Sequence, residues 1–315
     1  MAHMVEIIDG NVSLAYSGKT PWHNLGTKVS DDLTPTEMLQ AANLDWEVRK
    51  EPAFLEINGR RIETGHSGLV RSSDDKVLDI ITDDWNPVQN QEAFEFFDDF
   101  IKAGNMQMHT AGALKGGRIV WALAKVGEGF SVFGGDEVES YLLFTNPHQY
   151  GQSTDIRFTN IRVVCNNTLT LALKTLSSNS VKVSHARQFD PAKVKETMGI
   201  AKSKLQQYKE MAEFLGSKRY DQAMAEEYFK TVFPGTSKTK EYSKNAIRAL
   251  NLVDTQPGAE FAPGTFWNLF NSVTFMTDHL IGRSEDSRLT SAWFGPNKSL
   301  KLNALNKALD MAADA

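Results

Sequence analysis

Cysteine is almost missing from this chain. Cys165 stands alone in 315 residues, so no intramolecular disulfide can form and nothing calls for an oxidising compartment. Long apolar runs are missing as well: no stretch approaches the roughly 18–20 residues that a membrane-crossing helix needs. No series of charged, apolar and small residues opens the chain, so no signal peptide is expected. These absences predict a soluble, cytoplasmic protein. Met1-Ala2-His3-Met4 reads as an expression scar over residues 1–4, with the natural start expected at Met4.

Clustered chemistry is scarce. His23, His66, His109, His148, His185 and His279 are scattered singly, without the spacing of a metal site, so no metal is expected. Gly18-Lys19-Thr20 lacks the upstream glycine of a phosphate loop and runs at once into Pro21. No Gly-x-Gly-x-x-Gly fingerprint occurs, which argues against a Rossmann cofactor site, and no cofactor is expected. Cys165 ends an apolar strand before an expected helix start. That position lowers a thiol's pKa, while a small buried hydrophobe is the alternative reading.

An excess of positive charge is also lacking. The net charge is −5, which argues against coating nucleic acid by bulk charge. The distribution is uneven: residues 31–110 carry 17 acids and 7 bases, and residues 186–250 carry 13 bases and 8 acids. Such a contrast steers an anionic ligand, opposes charges between subunits, or amounts to two solvated faces. There is no internal repeat and no low-complexity segment.

What is present is core material and turn chemistry. Eighteen Phe and six Trp supply the bulk of a substantial core. A short helix is expected over Thr34–Ala42, then strands at Trp46–Ile57, Arg60–Arg71 and Val77–Thr82. Asn58-Gly59 between the first two is a strong hairpin signal, because the tight turn needs positive φ at both positions. Phe94, Phe97, Phe100 and Ile101 at helical spacing predict a helix over Gln89–Ala103, stopped by Gly104. The order is β-β-β-α. Further strands are expected at Met106–Leu114 and Arg118–Val126 around Gly116-Gly117, at Glu139–Thr145 and at Asp155–Cys165. Asn166 is placed to cap a helix running to Leu176, with a short strand at Val181–Ser184.

Beyond residue 186 the pattern turns helical. Asp190-Pro191 opens a helix expected to stop at Gly216. Others are expected at Tyr220–Val232, Lys238–Leu250, Gly264–Ile281 and Lys298–Ala312. Phe266, Leu269, Phe270 and Val273 form a buried stripe on the fourth of these. Asp278-His279, neighbours about 100° apart on that helix, read as one surface and one packed residue. The expected fold class is therefore α+β, a largely antiparallel mixed sheet with a β-β-β-α core and a helical C-terminal part. The strand-rich domain is placed at 5–185 and the helical region at 186–315.

Three blocks carry a resemblance. They are Thr20-Pro21-Trp22-His23-Asn24-Leu25-Gly26, then Asn160-Ile161-Arg162-Val163-Val164-Cys165-Asn166-Asn167-Thr168-Leu169, and Gly264-Thr265-Phe266-Trp267-Asn268-Leu269-Phe270-Asn271-Ser272-Val273-Thr274 followed by Asp278-His279. They resemble the phage/plasmid-like protein family, domain of unknown function 932, found in prophages and conjugative plasmids. The resemblance implies a mobile-DNA setting in a bacterial cytoplasm and no established reaction. Where that family's loop reads Ser-His-Asp-Gly, this chain has Pro147-His148-Gln149-Tyr150-Gly151. The resemblance therefore implies that an activity needing that Asp is lacking or uses a substitute.

The expected function is single-stranded DNA binding or annealing in replication or recombination. The β-β-β-α order is similar to annealing proteins of the RecT/Red-beta type, and a ring or filament of identical chains would follow. Arg60, Arg61, Lys115, Arg118, Arg157 and Arg162 are the candidate phosphate contacts, with Trp121 and Tyr150 as stacking platforms for bases. The alternative is a nucleic-acid or nucleotide enzyme whose polar pocket holds Trp22, His23, His148, Asn166 and Asn167, with His148 as acid or base. A third reading is a binding protein that blocks a host defence, with a host or phage protein as its partner.

Overall fold

The computed structural model describes residues 7–8, 10–18, 26–104, 106–127, 129–152, 154–162, 167–169, 191–235 and 242–315. The chain forms two compact units. Unit 1 comprises Met1–Gly127, Tyr141–Arg157 and Leu173–Met198, and unit 2 comprises Glu128–Ser140, Phe158–Ala172 and Gly199–Ala315. The fold is mixed α+β with a helical C-terminal part.

In chain order, β1 is Ile7–Ile8, β2 Asn11–Val12, β3 Leu14–Tyr16 and β4 Thr27–Lys28, followed by α1 at Pro35–Ala41. Thr34 caps α1 and exchanges bonds with Glu37 in a capping box, so two free backbone N–H groups at the helix start are satisfied. Next come β5 (Val48–Ile57), β6 (Arg60–Arg71), β7 (Val77–Thr82), α2 (Asn90–Gly104), β8 (Gln107–Leu114) and β9 (Ile119–Lys125). Strands β5, β6 and β7 form a separate antiparallel sheet in that order. Asn58 and Gly59 have φ of 52° and 71°, the tight turn that their side chains permit.

The main sheet of unit 1 runs β9, β8, β3, β4, and is mixed because β3 and β4 are parallel while β8 pairs antiparallel with both β3 and β9. Beside β9 lies Tyr141–Pro147, the second part of β11 (Asp136–Pro147), which follows β10 at Phe130–Val132. Phe94 and Phe97 of α2 are fully buried against Phe144, one edge-on and one stacked. The helix thus covers the sheet with the residues its spacing marked.

In unit 2, β10 pairs with Asp136–Val138, and Asn160–Arg162 of β12 (Asp155–Arg162) pairs with β13 (Asn167–Leu169). The helix expected after Asn166 is therefore replaced at Asn167–Leu169 by a strand: its backbone groups find partners in the β12 ladder rather than within a helix. The remainder of that helix, and the strand at Val181–Ser184, lie outside the described residues. The helices are α3 (Pro191–Ser217), α4 (Gln222–Val232), α5 (Lys244–Leu252), α6 (Phe266–Phe275), α7 (Glu285–Phe294) and α8 (Pro296–Ala313).

Helix α3 ends at Ser217, one residue past its expected stop at Gly216. A Cβ on Gly216 would sit 2.0 Å from Phe133 Cζ, so close packing also demands the glycine. Two details depart from the periodicity. Helix α6 is buried on every side from Phe266 to Thr274, not along one stripe. Its polar residues bond backbone groups, as when Asn268 Nδ2 donates to Ala259 O at 2.9 Å and Ser272 Oγ to Ala249 O at 2.5 Å. After Phe275 the helix widens into a π-type turn over Met276–Leu280. There Asp278 is not a surface residue. Its side chain is 6% exposed and pairs with Lys301, 1% exposed, at 2.7 Å.

Candidate functional site

The β8–β9 turn begins the site. Lys115, Gly116 and Gly117 have φ of 54°, 73° and 84°, three left-handed residues in succession. At Gly117 a Cβ would stand 2.3 Å from Arg71 Nη1, so the turn can close only over glycine. Arg71 is 1% exposed. Its Nε donates to Asp74 Oδ1 at 2.8 Å, its Nη2 to Asp74 Oδ2 at 2.7 Å, and its Nη1 to Gly116 O at 3.3 Å. Its guanidinium also faces the Trp46 ring, 5.4 Å from the centroid. The bonds from Arg71 hold the Asp74 carboxyl below its ordinary pKa. The bidentate geometry satisfies the charge that burial would otherwise leave bare.

The loop after β11 is tied to the same place. The His148 backbone N–H donates to Arg118 O at 2.7 Å. The His148 ring is fully buried, tilted against Trp46 at 5.2 Å between centroids, with Nε2 2.8 Å from Asn90 Oδ1. Asn90 Nδ2 donates to Leu44 O at 2.9 Å and Trp46 O at 3.3 Å, so its Oδ1 is the acceptor and His148 Nε2 carries the proton. Asn146 extends the network: its Nδ2 donates to Val88 O at 3.1 Å, and its Oδ1 accepts from Thr154 Oγ1 at 3.0 Å. Burial, aided by the nearby Arg71 charge, pushes the His148 pKa down to about 3. Such a ring stays neutral over the ordinary pH range and is shut off from solvent.

Lys115 and Arg118 on the β8–β9 turn and Tyr150 on the loop after β11 are exposed. Tyr150 is 52% exposed, and its backbone N–H donates to Asp79 Oδ2 at 2.8 Å. These three candidates are brought to one end of unit 1. Arg60 and Arg61 are not. They stand at the tip of the β5–β6 hairpin, and Arg71, which touches the β8–β9 turn, ends the same strand. The strand rise separates tip from turn by roughly 35 Å. There Arg61 lies over the half-exposed Phe54 ring at 4.3 Å. Trp121, expected as a platform, is 5% exposed. Its ring fills space that Gly112 vacates, where a Cβ would sit 3.0 Å from Trp121 Cζ2.

Arg157 and Arg162 lie in β12, and Asn167 opens β13 opposite Arg162; their side chains, with Trp22, His23 and Asn166, lie outside the described residues. Sequence reasoning missed Arg71, Asp74, Trp46 and Asn90. One signal was present: an arginine ending a strand three residues before an Asp in a tight turn fits a bidentate clamp. Among the described residues no group of three or more His, Cys, Asp or Glu is placed to hold a metal.

The family described as "Domain of unknown function (DUF932)" matches residues 77–293, more than half of the chain. No curated protein matches, and no solved structure matches.

Proposed function

We propose, for a chain that belongs to the DUF932 family, a role in binding single-stranded DNA during replication or recombination of a phage or other mobile element. The observation that carries the reading is that exposed Lys115, Arg118 and Tyr150 stand on the β8–β9 turn and on the loop bonded to it, with Arg71 clamping the turn. Two cations meet phosphates while a tyrosine ring offers a face to a base, the combination that single-strand binding uses. The full burial of His148 away from solvent favours binding over histidine-dependent hydrolysis. Arg60 and Arg61 fall outside this contact patch.

Fluorescence anisotropy with a labelled oligothymidine tests the reading. Salt-sensitive binding is expected at low ionic strength. Tyr150→Ala should weaken it by about 1–3 kcal/mol, the range for loss of one stacked base. Lys115→Glu combined with Arg118→Glu should weaken it at least about tenfold, since phosphate contacts dominate affinity. Absence of any salt-sensitive binding removes the proposal.

A further inference from the structure

Strand β6 has an open edge at its tip. Strand β7 flanks it from His66 to Val70, so residues 60–65 have no strand beside them on that side among the described residues. In a two-residue hairpin the residues flanking the turn, here Ile57 and Arg60, exchange both backbone bonds, and bonded pairs then alternate along the ladder. Ile57 with Arg60 and Leu55 with Ile62 are therefore bonded pairs, while Glu56 with Arg61 and Phe54 with Glu63 are not. The N–H and C=O groups of Arg61 and Glu63 consequently point away from β5. Both residues are exposed, and their four outward groups form a template for another strand.

Charge decides which strand fits. Charges protect an edge when like signs repel a second copy, but here the two outward positions, Arg61 and Glu63, differ in sign. Two copies related by a two-fold axis normal to the sheet pair antiparallel, and their outward groups can meet in three registers. Centring the axis on Arg61 sets Arg61 against itself, and centring it on Glu63 does the same to Glu63. Like charges directly opposite are unfavourable. Centring it on Ile62 sets Arg61 of each copy against Glu63 of the other. The opposite edge, on β5, offers less. Its outward positions are Pro52, Phe54 and Glu56, and the proline has no N–H to donate.

We propose that the β6 tip pairs edge to edge with the β6 tip of a second copy of the chain, antiparallel, about a two-fold axis through Ile62. Arg61 and the partner subunit's Glu63 exchange two backbone hydrogen bonds, and the symmetry repeats them. Both side-chain pairs then bring opposite charges together. On the other face the two Ile62 side chains become direct neighbours. Leu55, which faces Ile62 across the hairpin, extends them into an aliphatic row across four strands. Leu55 and Ile62 are 57% and 47% exposed in the single chain, and the row shields them from water. The length of the open edge fits as well. The partner subunit's Gly59 ends its hairpin at the level of Gly65, one residue short of His66, where β7 takes over. Only the tips meet, so the interface is small and the dimer weak. This association is independent of DNA binding, since Lys115, Arg118 and Tyr150 are not part of it.

Sedimentation velocity on the full chain, from micromolar to near-millimolar concentration, tests the proposal. A reversible monomer–dimer equilibrium is expected. Arg61→Glu sets carboxylates opposite each other in both pairs, and Glu63→Arg does the same with guanidinium groups. Each should raise the dissociation constant at least about tenfold. Mixing the two variants restores opposite charges in both pairs, so a one-to-one heterodimer should form about as readily as the wild-type dimer. Cross-linking serves if a charge variant loses its far-ultraviolet circular dichroism. Facing Cα atoms of a non-bonded antiparallel pair lie about 4.5 Å apart, within disulfide range. In a Cys165→Ser background, Ile62→Cys should therefore give a linked dimer under mild oxidation. Leu55→Cys should not, because three strand spacings, about 14 Å, separate it from its counterpart. A chain that stays monomeric at the highest concentration overturns the proposal. So does a mixture of charge variants that fails to associate, or cross-linking through Leu55→Cys equal to that through Ile62→Cys.

Discussion

In the folded chain His148 stays neutral down to about pH 3, whereas an unfolded histidine titrates near ~6.5. Between those values the unfolded state binds the extra proton. The stabilisation is full above about pH 6.5 and drains away as pH falls toward about 3. Urea denaturation of the wild type should show an acid-side loss on the order of 3 kcal/mol, and His148→Gln should flatten it. A pH-independent difference between the two proteins would contradict the buried neutral ring. Gly117→Ala is expected to destabilise by at least about 2 kcal/mol, since the methyl group would enter the space of the Arg71 guanidinium at a positive φ. Thermal unfolding reads that change directly. In unit 2, Asp278→Asn withdraws the carboxylate from the buried Lys301 ammonium. It should cost about 3–5 kcal/mol, while Lys301→Met with Asp278→Leu should cost far less. Burial already presses the Lys301 pKa down, against the opposing pull of Asp278.

Elements whose stop and start signals are local came out close to their expected limits. Thr34 caps α1 with Glu37 three positions on, and Thr34→Ala should cost about 1 kcal/mol in thermal or urea denaturation. Arg60–Arg71 and Val77–Thr82 match the expected strands, and Asn58-Gly59 turns between them. Gly216 marks the end of α3 to within a residue, and the Phe133 ring also needs its empty Cβ position. The misses have separate causes. Asn166-Asn167 reads as a cap, yet β12 supplies a ladder for Asn167–Leu169. Helix α7 carries its signal in Ser284, which caps it with Ser287, but Arg283 to Arg288 is too polar for apolar periodicity to show. At Asn167–Leu169, pairing with the adjacent strand outweighed a local preference of about 1 kcal/mol.

At the scale of the whole molecule, the net charge of −5 limits what nucleic-acid binding can look like. A chain repelled in bulk by phosphate binds through few local contacts. The log–log salt dependence of oligothymidine binding should therefore have a shallow slope, about −1 to −3, rather than the steep slope of a coating protein. A slope much steeper than this would place further cations in the contact. The acids of residues 31–110 lie among α1, β5, β6, β7 and α2. Several are engaged, as Asp74 is by Arg71, Asp75 by Arg49 and Asp79 by the Tyr150 backbone.

Fold class, the hairpins, the α2 face and the left-handed glycine turns were determined by the sequence alone, because each depends on residues within a turn or two of one another. The site was decided by tertiary structure. Lys115, Arg118 and Tyr150 come to one end of unit 1 because Arg71 and Asn90, from two other stretches of chain, and His148, beside Tyr150, close one buried network. Trp121 and His148 looked available and were sealed by packing. Arg60 and Arg61, alike in type to Lys115 and Arg118, were carried to the far end of a long hairpin. Residue type sets what a side chain can do; burial and strand length, which only the folded chain possesses, set whether and where it does it.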